Sequence, residues 1–352
     1  MSGAARTVPG GEAPAWGGAG VGARHGAAAG RRRSLASVAM RAATIRDGEV
    51  VVAEHPDPTP GAGEVLVRVR AAGLNGADIL QRAGGYPAPP GSPPEIPGLE
   101  LAGEVRALGP GAERFEAGDR VMAITGGGGQ AELAVVHERQ LMPVPDGMDW
   151  EMAGGIPEVF TTAYDALFTQ AGLSAGERLL VHGAAGGVGT AAVQLGATAG
   201  AHVTATVRDR KRHDGVQALG AHDVVDPEGF EERGPFDVVL ELVGAPNIPG
   251  DLKALATGGR IVVIGVGAGF KAELNLLALM GKRARVSAAT LRARPLEEKA
   301  LTARAMERHV LPLFERGVLS VPVAAAFALD DVAAAYERFT AGGKLGKVIV
   351  TT

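Results

Sequence analysis

The 352-residue chain reads as an α/β protein with a β-rich first lobe and a doubly wound parallel sheet after it, and three observations predict this. From Met40 to about Leu141, short segments with period-2 apolar alternation are broken by Pro-Gly clusters. After Ala153, apolar strand-like runs recur with helix-length segments between them, the pattern of a parallel sheet. A glycine-rich turn lies between the first two of those runs. Single cores rarely grow past about 250–300 residues, so the length itself favours two lobes.

In chain order, residues 1–39 are mostly Gly, Ala and Arg with few large apolar side chains apart from Trp16, so they are expected to be a disordered tail. Val65, Val67 and Val69 alternate with Leu66, Arg68 and Arg70, predicting a half-buried strand, and Leu99–Leu108 and Gln130–Val136 read the same way. Pro56–Gly63 and Pro87–Gly98 break any helix and predict loops. In the second half, strands are expected at Arg178–His182, His202–Val207, Phe236–Leu240 and Arg260–Ile264. Two helical stretches between Arg294 and Thr340 and a closing strand at Lys347–Val350 complete the chain.

The 35 basic and 39 acidic residues leave a net charge of −4, which provides no basic field for nucleic acid or anionic lipid. No run approaches the ~18 apolar residues of a membrane helix. With no cysteine, disulfides, thiolate zinc sites and a cysteine nucleophile are excluded, which suits a cytoplasmic location. The expected partner is a small molecule, with no nucleic acid and no membrane. Glycine, at 53 residues, is about twice its usual share of roughly 7%, which implies many tight turns and close backbone approaches.

The sharpest local signal is the run from Leu179 to Thr190, in which an apolar strand ends at His182-Gly183, turns, and opens a helix. Such a turn aims free backbone N–H groups and the positive helix end at one point, where a pyrophosphate fits. Ala185, Gly186, Gly187, Val188 and Gly189 are the expected cradle, with Gly189 allowing the helix to pack on the strand. The next strand ends at Val207 and is followed by Arg208-Asp209-Arg210-Lys211-Arg212. Cations there suit the 2′-phosphate of NADPH, and Arg208 and Lys211 are the expected ligands. Asp209 has competing readings, as a grip on an NAD ribose or as a helix cap.

Gly61–Val69, Leu74-Asn75-Gly76-Ala77-Asp78, Gln81–Gly91, Pro97-Gly98-Leu99-Glu100, Gly127–Ala131, Leu141–Gly147, Ile156–Tyr164, the glycine turn and Gly343–Ile349 together resemble the zinc-independent quinone oxidoreductase (zeta-crystallin-like) branch of the medium-chain dehydrogenase/reductase superfamily. The resemblance implies a GroES-like β-rich catalytic domain over 40–159, completed by 300–352, and a Rossmann domain over 160–299 with substrate between them. It also implies NADPH-dependent hydride transfer to a quinone, or to another conjugated carbonyl or enoyl compound, without a metal, in a homodimer joined near Arg285–Ala288. A redox-inert NADPH-binding role is the remaining alternative. Zinc-dependent relatives carry a histidine where this chain has Leu99. By the same resemblance Asn75 and Tyr86 stabilise the developing oxyanion, and Thr162, Gly265, Val266 and Lys347 lie near the nicotinamide. Each has a structural reading as well: a helix cap for Asn75, a loop aromatic for Tyr86, helix packing, a strand-ending turn and a surface lysine for the others. Asp78 and Gln130 are expected to stabilise turns.

Overall fold

A computed structural model describes residues 39–352, so the expected disordered tail lies outside the described residues except for Ala39, which already begins a strand. The first lobe contains β1 (Ala39–Arg46), β2 (Glu49–Pro56), β3 (Glu64–Gly73), α1 (Gly76–Arg82), β4 (Glu100–Leu108), β5 (Arg120–Ile124), β6 (Leu133–His137) and β7 (Met142–Pro143). β1 and β2 form an antiparallel hairpin. The expected alternation appears in β3, where Val65, Val67 and Val69 are buried and Arg68 is exposed. Leu66 is buried too, because Met40, Ala42, Ile96, Ala131 and Leu133 cover the opposite face. Val65, Val67 and Val69 meet Leu101, Val105, Phe115, Val121 and Val136 in the lobe's own core.

Short helices α2 (Trp150–Gly154) and α3 (Pro157–Tyr164) lead into β8 (Arg178–Val181), α4 (Gly187–Thr198), β9 (His202–Thr206), α5 (His213–Ala218), β10 (Asp223–Val225), β11 (Phe236–Glu241), α6 (Ile248–Ala254), β12 (Leu255–Val263), α7 (Leu276–Lys282) and β13 (Arg285–Ala288). The six strands are all parallel, in the order β10-β9-β8-β11-β12-β13. Counted from β8 this is 3-2-1-4-5-6, the doubly wound order whose ligand crevice opens where the order reverses, between β8 and β11. β12 starts five residues before the expected Arg260.

The chain closes with α8 (Leu296–His309), α9 (Leu311–Glu315), β14 (Val323–Ala328), α10 (Val332–Thr340) and β15 (Lys347–Thr351). β14 and β15 extend the first lobe's sheet, which runs β14-β15-β3-β4-β5-β7 with β6 also on β3. β15 pairs antiparallel with the end of β3, placing Lys347 beside Gly73 and Leu74. Its approach also touches the second lobe, since Gly346 N–H donates to Ala185 O at 2.8 Å. The final segment therefore ties the first lobe's sheet to the glycine turn.

Candidate active site

The glycine turn has the geometry of an anion cradle. β8 ends at Val181, Gly183 turns with φ +60°, and α4 begins with Gly186 as its N-cap and no side chain capping it. The first N–H groups of this twelve-residue helix therefore lack a side-chain acceptor and point at the crevice. A Cβ on Gly189 would lie 2.6 Å from Ala184 Cα, and one on Gly187 would lie 2.8 Å from Val159 and 2.9 Å from the Lys347 stem. Only glycine permits that packing. Gly265 and Val266 follow β12 at the same end of the sheet, with Gly265 N–H donating to Glu241 O at 3.1 Å. The residues fit a dinucleotide.

Beyond β9, the four cations differ. Arg210 pairs with Asp226, and Arg212 reaches Gly343 O at 2.7 Å and Asp209 at 3.6 Å. Asp209 caps the following turn by accepting from Lys211 N–H at 3.1 Å, so the capping geometry is present. Arg208 and Lys211 are exposed and have no ion pair among the described residues.

Where β3, β4, α3 and β15 converge, the sequence builds a buried polar network. Lys347 Nζ donates to Leu74 O at 2.7 Å, Asn75 Oδ1 at 2.8 Å and Glu100 Oε1 at 2.6 Å, so its three hydrogens are all engaged. The Asn75 amide donates to Glu100 Oε1 at 2.9 Å and to Gly73 O at 3.3 Å. Glu100 Oε2 accepts from the Glu158 backbone N–H at 2.8 Å. A Cβ on Gly73 would collide with the Glu100 carboxylate and the Lys347 stem, which explains glycine there. Removing one partner of a buried ion pair costs about 3–5 kcal/mol, since the other charge is left without compensation. Lys347 is therefore a buried strut rather than a surface lysine, and it meets the cradle through its stem. Asn75 likewise has both amide hydrogens directed into the protein.

Two carboxyl groups around this network are perturbed. Asp78 accepts from Asn75 N–H at 2.8 Å and Gly98 N–H at 3.0 Å, yet burial pushes it up to about 6. Glu158 is pushed up to about 7, first by burial and then by the neighbouring Glu100 carboxylate. Its Oε1 accepts from Thr162 Oγ1 at a long 3.4 Å, and its Oε2 is screened from solvent without a partner. Thr162 thus faces this network.

Tyr86 lies in the Pro-Gly loop with its hydroxyl 3.2 Å from Thr290 Oγ1, across the crevice on the segment after β13. Arg292 stacks over its ring, 4.9 Å to the centroid, and donates to Tyr86 O at 2.9 Å, Gly126 O at 2.8 Å and Gln81 Oε1 at 2.5 Å. Arg292 is 2% exposed and has no carboxylate partner among the described residues; burial lowers its guanidinium from the usual range. Neither Arg292 nor Glu158 stands out in the sequence. An acid in the first turn of a helix reads as a response to the helix dipole, and nothing in Leu291-Arg292-Ala293-Arg294 signals burial.

The residues in this crevice do not fit zinc. Leu99 occupies the expected histidine position, the chain has no cysteine, and Lys347 already neutralises Glu100. Among the described residues, three potential ligands converge only at His182, Glu241 and Asp251, buried in the parallel sheet. There His182 is tied to Asp251 at 2.8 Å and to Thr206 at 3.0 Å.

Residues 61–146 match the alcohol dehydrogenase GroES-like domain, and residues 219–350 match the zinc-binding dehydrogenase family. The quinone oxidoreductase of Lama guanicoe is 33% identical over 305 residues, covering 83% of this chain and 90% of that protein. The polyketide synthase GfsB of Streptomyces halstedii shares 40% identity over 208 residues, 58% of this chain but only 4% of that protein. A probable oxidoreductase from Mycobacterium abscessus superposes with a TM-score of 0.79 at 29% identity, covering 90% of this chain and all of that one. Two lobes, a dinucleotide crevice at the strand-order reversal and these likenesses lead to one identification: the chain belongs to the zeta-crystallin-like quinone oxidoreductase branch of the medium-chain dehydrogenase/reductase superfamily, enzymes that bind a nicotinamide cofactor.

Proposed function

We propose that the protein is a cytoplasmic, zinc-independent NADPH:quinone reductase. The observation that carries the reading is the pairing of an uncapped glycine-turn helix with two exposed cations beside the strand that follows, Arg208 and Lys211, which have no ion pair among the described residues. Ala185, Gly186, Gly187, Val188 and Gly189 hold the pyrophosphate, Arg208 and Lys211 hold the 2′-phosphate, and Thr162, Gly265 and Val266 border the nicotinamide. The cofactor supplies the hydride. Tyr86, oriented by Arg292 beneath its ring, offers a hydroxyl to the acceptor oxygen as charge develops there. Asn75 and Lys347 act at one remove, fixing Glu100 and the loop between β3 and α1.

A second reading, reduction of an enoyl or enone double bond, is consistent with the polyketide synthase match. Both are tested by following NADPH oxidation with wild type and Tyr86→Phe against para-quinones, ortho-quinones and conjugated enones. Quinone turnover that falls in Tyr86→Phe, by up to about 10²-fold while NADPH affinity holds, is expected. Turnover of enones alone moves the function to the second reading, and tight NADPH binding without turnover of any acceptor contradicts both.

A further inference from the structure

Resting on the reductase reading above, we propose that Glu158 is the acid that gives the reduced acceptor its proton. The network around it contains an imbalance. Glu100, Glu158 and Asp78 face one buried ammonium, Lys347, whose three hydrogens go to Leu74 O, Asn75 Oδ1 and Glu100 Oε1 and none to Glu158. Glu158 has no ion pair among the described residues, and its two polar neighbours do little for a negative charge. Thr162 Oγ1 stands 3.4 Å from Oε1, and nothing meets Oε2. Arg292, on the segment after β13, lies near Asp78, Tyr86 and Glu158 but hydrogen-bonds to carbonyl and amide oxygens only. A carboxyl group so placed favours its neutral form, and burial with the Glu100 charge holds it up at about 7. Its Oε2 has no partner, and it lies beside Thr162, the helix position expected to border the nicotinamide. That range suits a general acid working near neutral pH.

The chemistry balances as follows. The acceptor takes two electrons and a hydrogen as hydride when the C4–H bond of the dihydronicotinamide breaks, leaving an enolate or a hydroquinone anion. The Glu158 O–H bond then breaks, its proton joins that anion, and the Glu158 carboxylate is reprotonated from water before the next turnover. Tyr86 keeps a separate task, a hydrogen bond to the acceptor oxygen. Protonation matters most for an enone, whose carbon must receive the proton, and least for a quinone.

The test is the pH profile of kcat/KM for an enone and a para-quinone, with NADPH saturating, for wild type, Glu158→Gln, Glu158→Asp and Tyr86→Phe. NADPH affinity is measured alongside by cofactor fluorescence. Wild-type activity is expected to fall as pH rises through about 7, because the acid must be protonated. Glu158→Gln is expected to lose about 10²-fold or more on the enone and to lose this alkaline limb, with NADPH affinity retained. Glu158→Asp is expected to keep a displaced limb, whereas Tyr86→Phe lowers the rate and leaves the limb where it was. An unchanged limb in Glu158→Gln overturns the assignment while leaving the reductase reading intact. If Glu158→Gln does not fold, an unmoved limb in Glu158→Asp overturns it. A wild type that reduces no acceptor overturns the reductase reading and this assignment with it.

Discussion

Arg208 and Lys211 show how one ion pair changes the role of a neighbour. Arg210 is matched by Asp226 and Arg212 by Asp209, so among the described residues the charges left over after β9 are those of Arg208 and Lys211. A phosphate there would accept charge-assisted hydrogen bonds worth about 1.5–3 kcal/mol each. The Arg208→Ala/Lys211→Ala variant is therefore expected to raise the NADPH KM by about 10²-fold and to leave the NADH KM nearly unchanged. Equal effects on both cofactors would contradict the assignment. The glycine turn opening α4 and the cation cluster after β9 were readable in the sequence because backbone geometry and local charge decide them. Lys347 and Asn75 were readable as positions but not as a buried strut, since their partners Glu100 and Gly73 belong to other strands and register alone brings them together. Arg292 and Glu158 were not readable, because their burial comes from packing between distant segments.

The strands of the second half were legible as elements because parallel strands buried on both faces read as continuous apolar runs. β14 was not. Val323–Ala328 is largely alanine, which suits a helix, and the expectation between Arg294 and Thr340 was two helical stretches, with no strand. Its parallel pairing with β15 overrides that preference. The edge strand expected near Arg285–Ala288 is β13, outermost in the parallel sheet with one side unpaired among the described residues. Nearby on α7 and the loop before it, Leu276, Leu277, Met280 and Phe270 are exposed, from 65% for Leu276 to 80% for Phe270. An unpaired edge beside exposed apolar side chains is costly in a monomer, and we propose that a second copy continues the sheet across a two-fold axis there. Sedimentation at micromolar concentration is expected to give twice the 35.7 kDa chain mass, and Leu277→Lys with Met280→Lys to shift it towards one. A wild type that sediments as a single chain would contradict the dimer.

At the scale of the molecule, the final segment makes the two lobes one catalytic unit. β15 completes the first sheet, Gly346 bonds the glycine turn, and the Lys347 stem passes beneath Gly187 to reach Glu100. The crevice so formed brings together the glycine turn, the exposed Arg208 and Lys211, a tyrosine ring stacked on a buried arginine and a carboxyl group that burial pushes up, and among the described residues it offers no ligand set for zinc. Whether this assembly reduces acceptors with NADPH and without metal is tested most directly by the rate of NADPH oxidation by exhaustively chelated enzyme presented with a para-quinone. The account predicts the same rate as before chelation, and a much higher kcat/KM with NADPH than with NADH. Activity lost on chelation and restored by zinc, or no preference for NADPH, would contradict it.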